Sequence, residues 1–204
     1  MDGKEDDRSM EKNGKCMGIT ANLSNHHVHI TDEVRRKLFG EEPLTVKRYL
    51  TKDRSMFAAW ETVTVVGPKG QVENVRVVGP CRNYTQAELL RADCFNIGVE
   101  APVRDSGDLA GAAPLKLVGP KGEVTVEECG IIAHRHIHMA GRLMEEYGLT
   151  DGQMVDVEVG GIRGLVFHNV RIRASRGEDS VMHIDQEEGN AAGFSSGEKV
   201  SVLL

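Results

Sequence analysis

One phrase occurs twice in this chain and restricts its fold more than any other feature: an alternating apolar run, the turn Gly-Pro-Lys-Gly, and a second such run. Thr62-Val63-Thr64-Val65-Val66 leads into Gly67-Pro68-Lys69-Gly70 and on through residues 72–78. Leu115-Lys116-Leu117-Val118 leads into Gly119-Pro120-Lys121-Gly122 and on through residues 123–126. Short β-branched runs bounded by glycine and proline are the signature of a β-hairpin. Neither turn has the form of a phosphate loop, which would be a G-x-x-x-x-G-K-S/T run opening a helix. More strands are expected at residues 154–159, 165–173, 181–184 and 200–203.

Helices are few and brief. Thr31 can cap a helix over Asp32–Phe39, with acidic residues in its first turn and Gly40 beyond its last. A second is expected over residues 140–147, closing at Gly148, and a third over residues 86–91 behind Thr85. Asp185 and Glu188 have the spacing of a capping arrangement before a fourth. The first two follow a His-X-His unit each, His27-Val28-His29 and His136-Ile137-His138. Two copies of strand, His-X-His and helix, with two Gly-Pro-Lys-Gly hairpins, indicate an internal duplication. The expected fold class is mainly β: two similar small β-barrels capped by short α-helices, closed so that few strand edges are bare.

On a strand, residues i and i+2 point to one face, so each His-X-His unit aims two imidazoles in the same direction. Zinc favours histidine nitrogen, often with a carboxylate, and a catalytic zinc keeps three protein ligands and an open position. Each pair therefore needs one partner from elsewhere. Isolated alternating histidines can also be exposed strand residues or local hydrogen-bonders, and it is the duplicated frame that favours metal here.

The bulk properties narrow the setting. A chain of 204 residues can bury a core without disulfides, and Cys16, Cys81, Cys94 and Cys129 show no paired spacing. With no signal-peptide pattern, a reducing cytoplasmic location is expected. A net charge of −6 argues against a nucleic-acid partner, and no apolar run approaches the roughly 20 residues that span a bilayer. Residues 1–20 are polar and charge-rich and are expected to be a flexible leader.

A series of motifs occurs in a telling order. It comprises Ser24-Asn25-His26-His27-Val28-His29, the first Gly-Pro-Lys-Gly hairpin, Gly79-Pro80-Cys81-Arg82 with Thr85-Gln86-Ala87-Glu88, and Arg104-Asp105-Ser106-Gly107. His136-Ile137-His138-Met139, Gly164-Leu165-Val166-Phe167 and Met182-His183-Ile184-Asp185 complete it. Over residues 21–204 this series closely resembles the phosphate propanoyltransferases, zinc-dependent phosphotransacylases best known from bacterial microcompartments that degrade propanediol. The resemblance implies two barrels, a first over residues 26–133 and a second over 134–204 that also takes in residues 21–25. It implies two zinc ions between them, one held by His27, His29 and Glu88 and the other by His136, His138 and His183. It further implies a homo-oligomer, taken as a dimer, with CoA and phosphate as substrates.

The implied reaction exchanges an acyl-CoA plus phosphate for an acyl phosphate plus CoA. The phosphate must be held as it approaches the thioester carbonyl, a task suited to a bidentate guanidinium, here assigned to Arg82. Ser24 and Ser106 match serines of the family's motifs and are candidates to donate to phosphate or the oxyanion. No Ser/His/Asp arrangement is visible, so direct attack by phosphate is expected. The acyl chain, acetyl or propanoyl, is not legible, since one methylene is worth only about 1 kcal/mol in a pocket.

His26 stands where the family usually has arginine, and His134 and Trp60 also depart from its pattern, with a packing role expected for Trp60. No encapsulating peptide is evident, which favours a free cytoplasmic enzyme over one inside a compartment. Two competing functions stay open on the sequence. One is a zinc-dependent hydrolase of thioesters or phosphoesters; the other is a non-enzymatic double-barrel module whose histidines hold a structural metal.

Overall fold

The computed structural model describes residues 16–175, 177 and 179–204. In chain order the elements are β1 (Cys16–Ser24), β2 (His27–His29), α1 (Asp32–Phe39), β3 (Val46–Tyr49), β4 (Phe57–Val66), β5 (Gln71–Gly79), β6 (Gln86–Glu88), α2 (Arg91–Ile97) and β7 (Val103–Arg104). There follow β8 (Ala113–Val118), β9 (Glu123–Ala133), β10 (His136–Ala140), α3 (Gly141–Tyr147), β11 (Met154–Val159), β12 (Leu165–Ser175), β13 (Val181–Asp185), α4 (Gln186–Ala192) and β14 (Lys199–Leu203).

The strands close into two barrels. In one, the pairings β4–β5–β2–β6–β9–β8 return to β4, with β3 and β7 as outliers on its edges. In the other, β1–β13–β10–β12–β11–β14 return to β1. The two rings share one plan: β2 runs parallel to β5 and antiparallel to β6, as β10 does to β12 and β13. By the same correspondence β6 is parallel to β9, and β13 is parallel to β1. β1, the first strand among the described residues, thus fills in the second barrel the place that β9 fills in the first. Each barrel has its own apolar core, with Val28, Val65, Val75 and Leu117 in one and Ile19, Ile137, Val157 and Ile172 in the other.

Alternation explains why the chain closes this way. In each His-X-His unit the central residue, Val28 or Ile137, is fully buried in its barrel's core. The flanking histidines must then turn the other way.

Residues 16–20, read as part of the leader, belong to β1, where Met17 and Ile19 point inward and the strand pairs with β14; the rest of that leader lies outside the described residues. A second correction concerns residues 86–91: β6 replaces the expected helix, and α2 begins only at Arg91. Ala87 is fully buried against β2 and β9, and Thr85 accepts from Thr31 N at 3.3 Å instead of capping a helix. Thr31 caps α1 through Val34 N, and Asp185 caps α4 through Glu188 N.

Both Gly-Pro-Lys-Gly turns lie in the first barrel, where each presses on the end of a helix. Lys69 N donates to Ile97 O at the end of α2, and Lys121 N donates to Leu38 O in α1. These amides satisfy carbonyls that a helix end leaves without partners. The approach demands glycine: a Cβ on Gly67 would lie 2.5 Å from Ile97 O, and one on Gly119 2.6 Å from Leu38 O.

Among the described residues no helix is long and apolar enough to cross a membrane.

Candidate metal and anion site between the barrels

The seam between the barrels collects both His-X-His units with His26, His134 and His183. His27 and Glu88 are cross-strand partners on β2 and β6, as are His29 and Gln86. His27 Nε2 lies 3.4 Å from Glu88 Oε2, and His29 Nε2 lies 4.0 Å from Glu88 Oε1. One ligand atom from each of His27, His29 and Glu88 falls within 4.8 Å of the others, so the three could close on a single ion. The tautomers agree with that use. His27 Nδ1 donates to Asn25 O at 2.9 Å and His29 Nδ1 to Val78 O at 3.1 Å, leaving each Nε2 lone pair turned toward the carboxylate.

In the second barrel His136 and His183 hold the equivalent register on β10 and β13. His136 Nδ1 donates to His134 O at 2.9 Å, repeating the His27 arrangement, and its Nε2 is 3.2 Å from His138 Nε2. Two nitrogens bound tetrahedrally at about 2.0–2.1 Å would stand about 3.4 Å apart. The His183 ring is 5.4 Å from both others but stacks on His136 at 16°. This trio is gathered, yet among the described residues only the first set brings its ligand atoms to a common point.

Burial sets the charge states. It is the main cause that lowers His29 and His183 to about 3 and His138 to about 4; neighbouring histidines add to each, and the Arg82 guanidinium adds at His29. Burial would raise Glu88, but His27, His29, a Ser106 hydrogen bond and His136 together hold its carboxyl below its ordinary value. Near pH 7 these three imidazoles are therefore neutral and Glu88 is ionised, which is how metal binds such groups. The two sets sense each other, since Glu88 and His27 both act on His183.

Beside the first set lies the Arg82 guanidinium, a candidate to hold an anion. Arg82 donates through Nη1 to Tyr84 Oη and, at 3.4 Å, to Ser106 Oγ. Ser106 also accepts from Gln86 Nε2 at 2.9 Å. Ser24 is placed apart from this pair: it ends β1 and lines a cavity with His26, Glu88, His134, His136, His183 and Asp185. His26 bonds Asp93 at 3.0 Å. Trp60 is not packed as expected; it is 60% exposed, with Lys47 Nζ over its ring.

Gln86 joins the ligand set to the Arg82 and Ser106 pair and was passed over in the sequence reading. It is fully buried, donates to Glu88 Oε1 at 2.8 Å as well as to Ser106, and accepts from Gly107 N at 2.7 Å. Reading Thr85-Gln86-Ala87-Glu88 at period two would have put Gln86 and Glu88 on one face. Contacts across the seam fix the two barrels together: Glu187 accepts from Arg91 N and Ala92 N at the start of α2, and Arg171 pairs with Asp105 at 3.1 Å.

Fold and site together define a double-barrel protein with a candidate metal-ligand set beside the Arg82 guanidinium. The family model described as phosphate propanoyltransferase matches residues 20–195. A phosphate propanoyltransferase of Thermotoga maritima is 45% identical over 188 residues, covering 91% of this chain and 89% of the relative. One from Lachnoclostridium phytofermentans is 41% identical over 196 residues, covering 95% and 91%. One from Levilactobacillus brevis is 44% identical over 175 residues, covering 85% and 83%. The chain belongs to the phosphate propanoyltransferase family and is an acyl-transferring enzyme.

Proposed function

We propose that the chain interconverts a short-chain acyl-CoA, propanoyl-CoA or acetyl-CoA, plus phosphate with the acyl phosphate plus CoA. The observation that carries this reading, beyond family membership, is the adjacency of the His27, His29 and Glu88 set to the Arg82 and Ser106 pair. Neutral imidazoles and an ionised carboxylate are the donor set that zinc takes, and we assign a first ion there and a second to His136, His138 and His183. Bound zinc supplies Lewis acidity toward the carbonyl and affinity for the CoA sulfur.

The chain's own groups carry the remaining work. Arg82 holds two phosphate oxygens in its fork and aims a third at the thioester carbon. Ser24, and Ser106 once its proton turns from Glu88, donate to phosphate or to the oxygen that gains charge at the carbonyl. The phosphate oxygen bonds to the carbonyl carbon, the carbon–sulfur bond breaks, and the sulfur leaves with its electron pair and takes up the proton that phosphate gives up. Direct attack is favoured because Ser106 accepts from Gln86 and Arg82 and its own hydrogen bond goes to Glu88, a proposed ligand, rather than to an imidazole base.

The test is thiol release from propanoyl-CoA by zinc-loaded protein, measured with and without phosphate. Release that requires phosphate is expected. Equal release without phosphate overturns the reading in favour of a hydrolase, and no release in either case leaves a metal-binding module.

A further inference from the structure

The correspondence between the barrels extends one residue beyond the clamps. His26, immediately before His27, places Nδ1 3.0 Å from Asp93 Oδ2. Arg135, immediately before His136, donates through Nη1 to Glu188 Oε1. Asp93 is the third residue of α2 and Glu188 the third of α4. Each carboxylate follows its candidate third ligand, Glu88 or His183, by the same five positions. In both barrels, then, the residue before the clamp is tied to the helix that starts just after the third-ligand strand.

We infer that His26–Asp93 and Arg135–Glu188 are matched positioning struts, each fixing one clamp against its third ligand. The path from strut to ligand is short in both cases. His26 and Asn25 form one turn, in which Asn25 Oδ1 accepts from His26 N at 2.8 Å and Asn25 O accepts from His27 Nδ1 at 2.9 Å. Holding His26 against α2 therefore holds the carbonyl that sets the tautomer and ring orientation of His27. His134 O does the same for His136, next to Arg135. At the other end Asp93 also accepts from Leu90 N at 3.0 Å, which joins the strut to the backbone two residues beyond Glu88. The ties differ in reach, imidazole with aspartate in the first barrel and guanidinium with glutamate in the second. Neither residue of the first pair touches the reacting atoms in this scheme; both act through His27.

The inference rests on the metal assignment made above, and its test keeps the two apart. Zinc affinity is measured by competition with a chromophoric chelator, together with kcat and the KM for phosphate, in the parent chain, His26→Ala and the double variant His26→Arg with Asp93→Glu. His26→Ala is expected to keep a cooperative melt, to lose about tenfold or more in affinity for one zinc, and to lose a similar factor in kcat with little change in KM. The double variant copies the second barrel's pair and is expected to recover most of both losses. The strut is overturned if His26→Ala keeps zinc affinity and kcat at parental values, or if the double variant is no better than His26→Ala. A parent chain that binds zinc but releases thiol without needing phosphate overturns the transferase reading alone, and the chelator titration still judges the strut.

Discussion

His27 and Glu88 face each other across β2 and β6 in the same register that His136 and His183 hold across β10 and β13. The two barrels thus offer equivalent positions with unlike donors, a carboxylate in one and an imidazole in the other. A dication held by two imidazoles and a carboxylate keeps one net positive charge, and one held by three imidazoles keeps two. Two such sites in one seam would present unequal fields to a substrate that carries both a phosphate and a thioester.

Glu88→Gln tests the first site with little change of shape. A glutamine keeps an oxygen to accept from Gln86 Nε2, now at 2.8 Å from Oε1, but brings no negative charge to an ion beside His27 and His29. The variant is expected to retain about one zinc fewer per chain than the parent and to lose at least about a hundredfold in phosphate-dependent thiol release. Metal analysis after gel filtration reads the first effect, and an unchanged zinc content would remove Glu88 from the ligand set.

Arg82→Lys separates charge from geometry. The guanidinium is held by Tyr84 Oη and Ser106 Oγ, and lysine would keep the charge without the fork. A lost charge-assisted hydrogen bond costs about 1.5–3 kcal/mol, or about a 10–100-fold fall in kcat/KM for phosphate. The KM for propanoyl-CoA is expected to change far less, and steady-state kinetics with each substrate varied in turn distinguishes the two.

Gln86→Leu removes the residue that joins the ligand set to the Arg82 and Ser106 pair. Gly107 N would lose its acceptor in a partly buried hydrogen bond, and Ser106 and Glu88 would lose a donor. Leaving such groups without partners costs about 2–4 kcal/mol, or about 5–10 °C in Tm for a chain of this size. Gln86→Glu keeps the acceptor for Gly107 N but sets a second carboxylate against the ionised Glu88 in a fully buried place, and is expected to lose at least as much stability. A thermal melt of the metal-free proteins compares them.

Much of this was legible before any coordinates, for reasons that differ by residue. The hairpins declared themselves because alternation and Gly-Pro-Lys-Gly are local signals, and the clamps because i and i+2 share a face of a strand. Thr85-Gln86-Ala87-Glu88 misled because glutamine, alanine and glutamate all favour helix and threonine caps one, whereas pairing with β2 and β9 decides the matter. Gln86 was hidden for the same reason. The start of β1 was masked by its charged neighbours, although Met17 and Ile19 alternate inward. The strut from His26 to Asp93 has no local signature, since it depends on two segments that only barrel closure brings together.

Acid is expected to destabilise the metal-free protein well above the range in which its carboxylates titrate. His29 and His183 titrate at about 3 in the fold and His138 at about 4, each lowered from 6.5, and burial is the leading cause. Below 6.5 the unfolded chain takes up protons at these positions while the fold does not, so the stability they confer is complete above 6.5 and is lost as pH falls toward 4. Each histidine contributes a slope of about 1.4 kcal/mol per pH unit within that window. Bound zinc would oppose the loss by holding the imidazoles neutral, and protonation would in turn weaken zinc binding. Melting curves at pH 7, 6 and 5, with and without zinc, read both effects: a falling Tm without metal and a smaller fall with it. A metal-free Tm that stays level across that range would show that these imidazoles are not kept neutral by the fold.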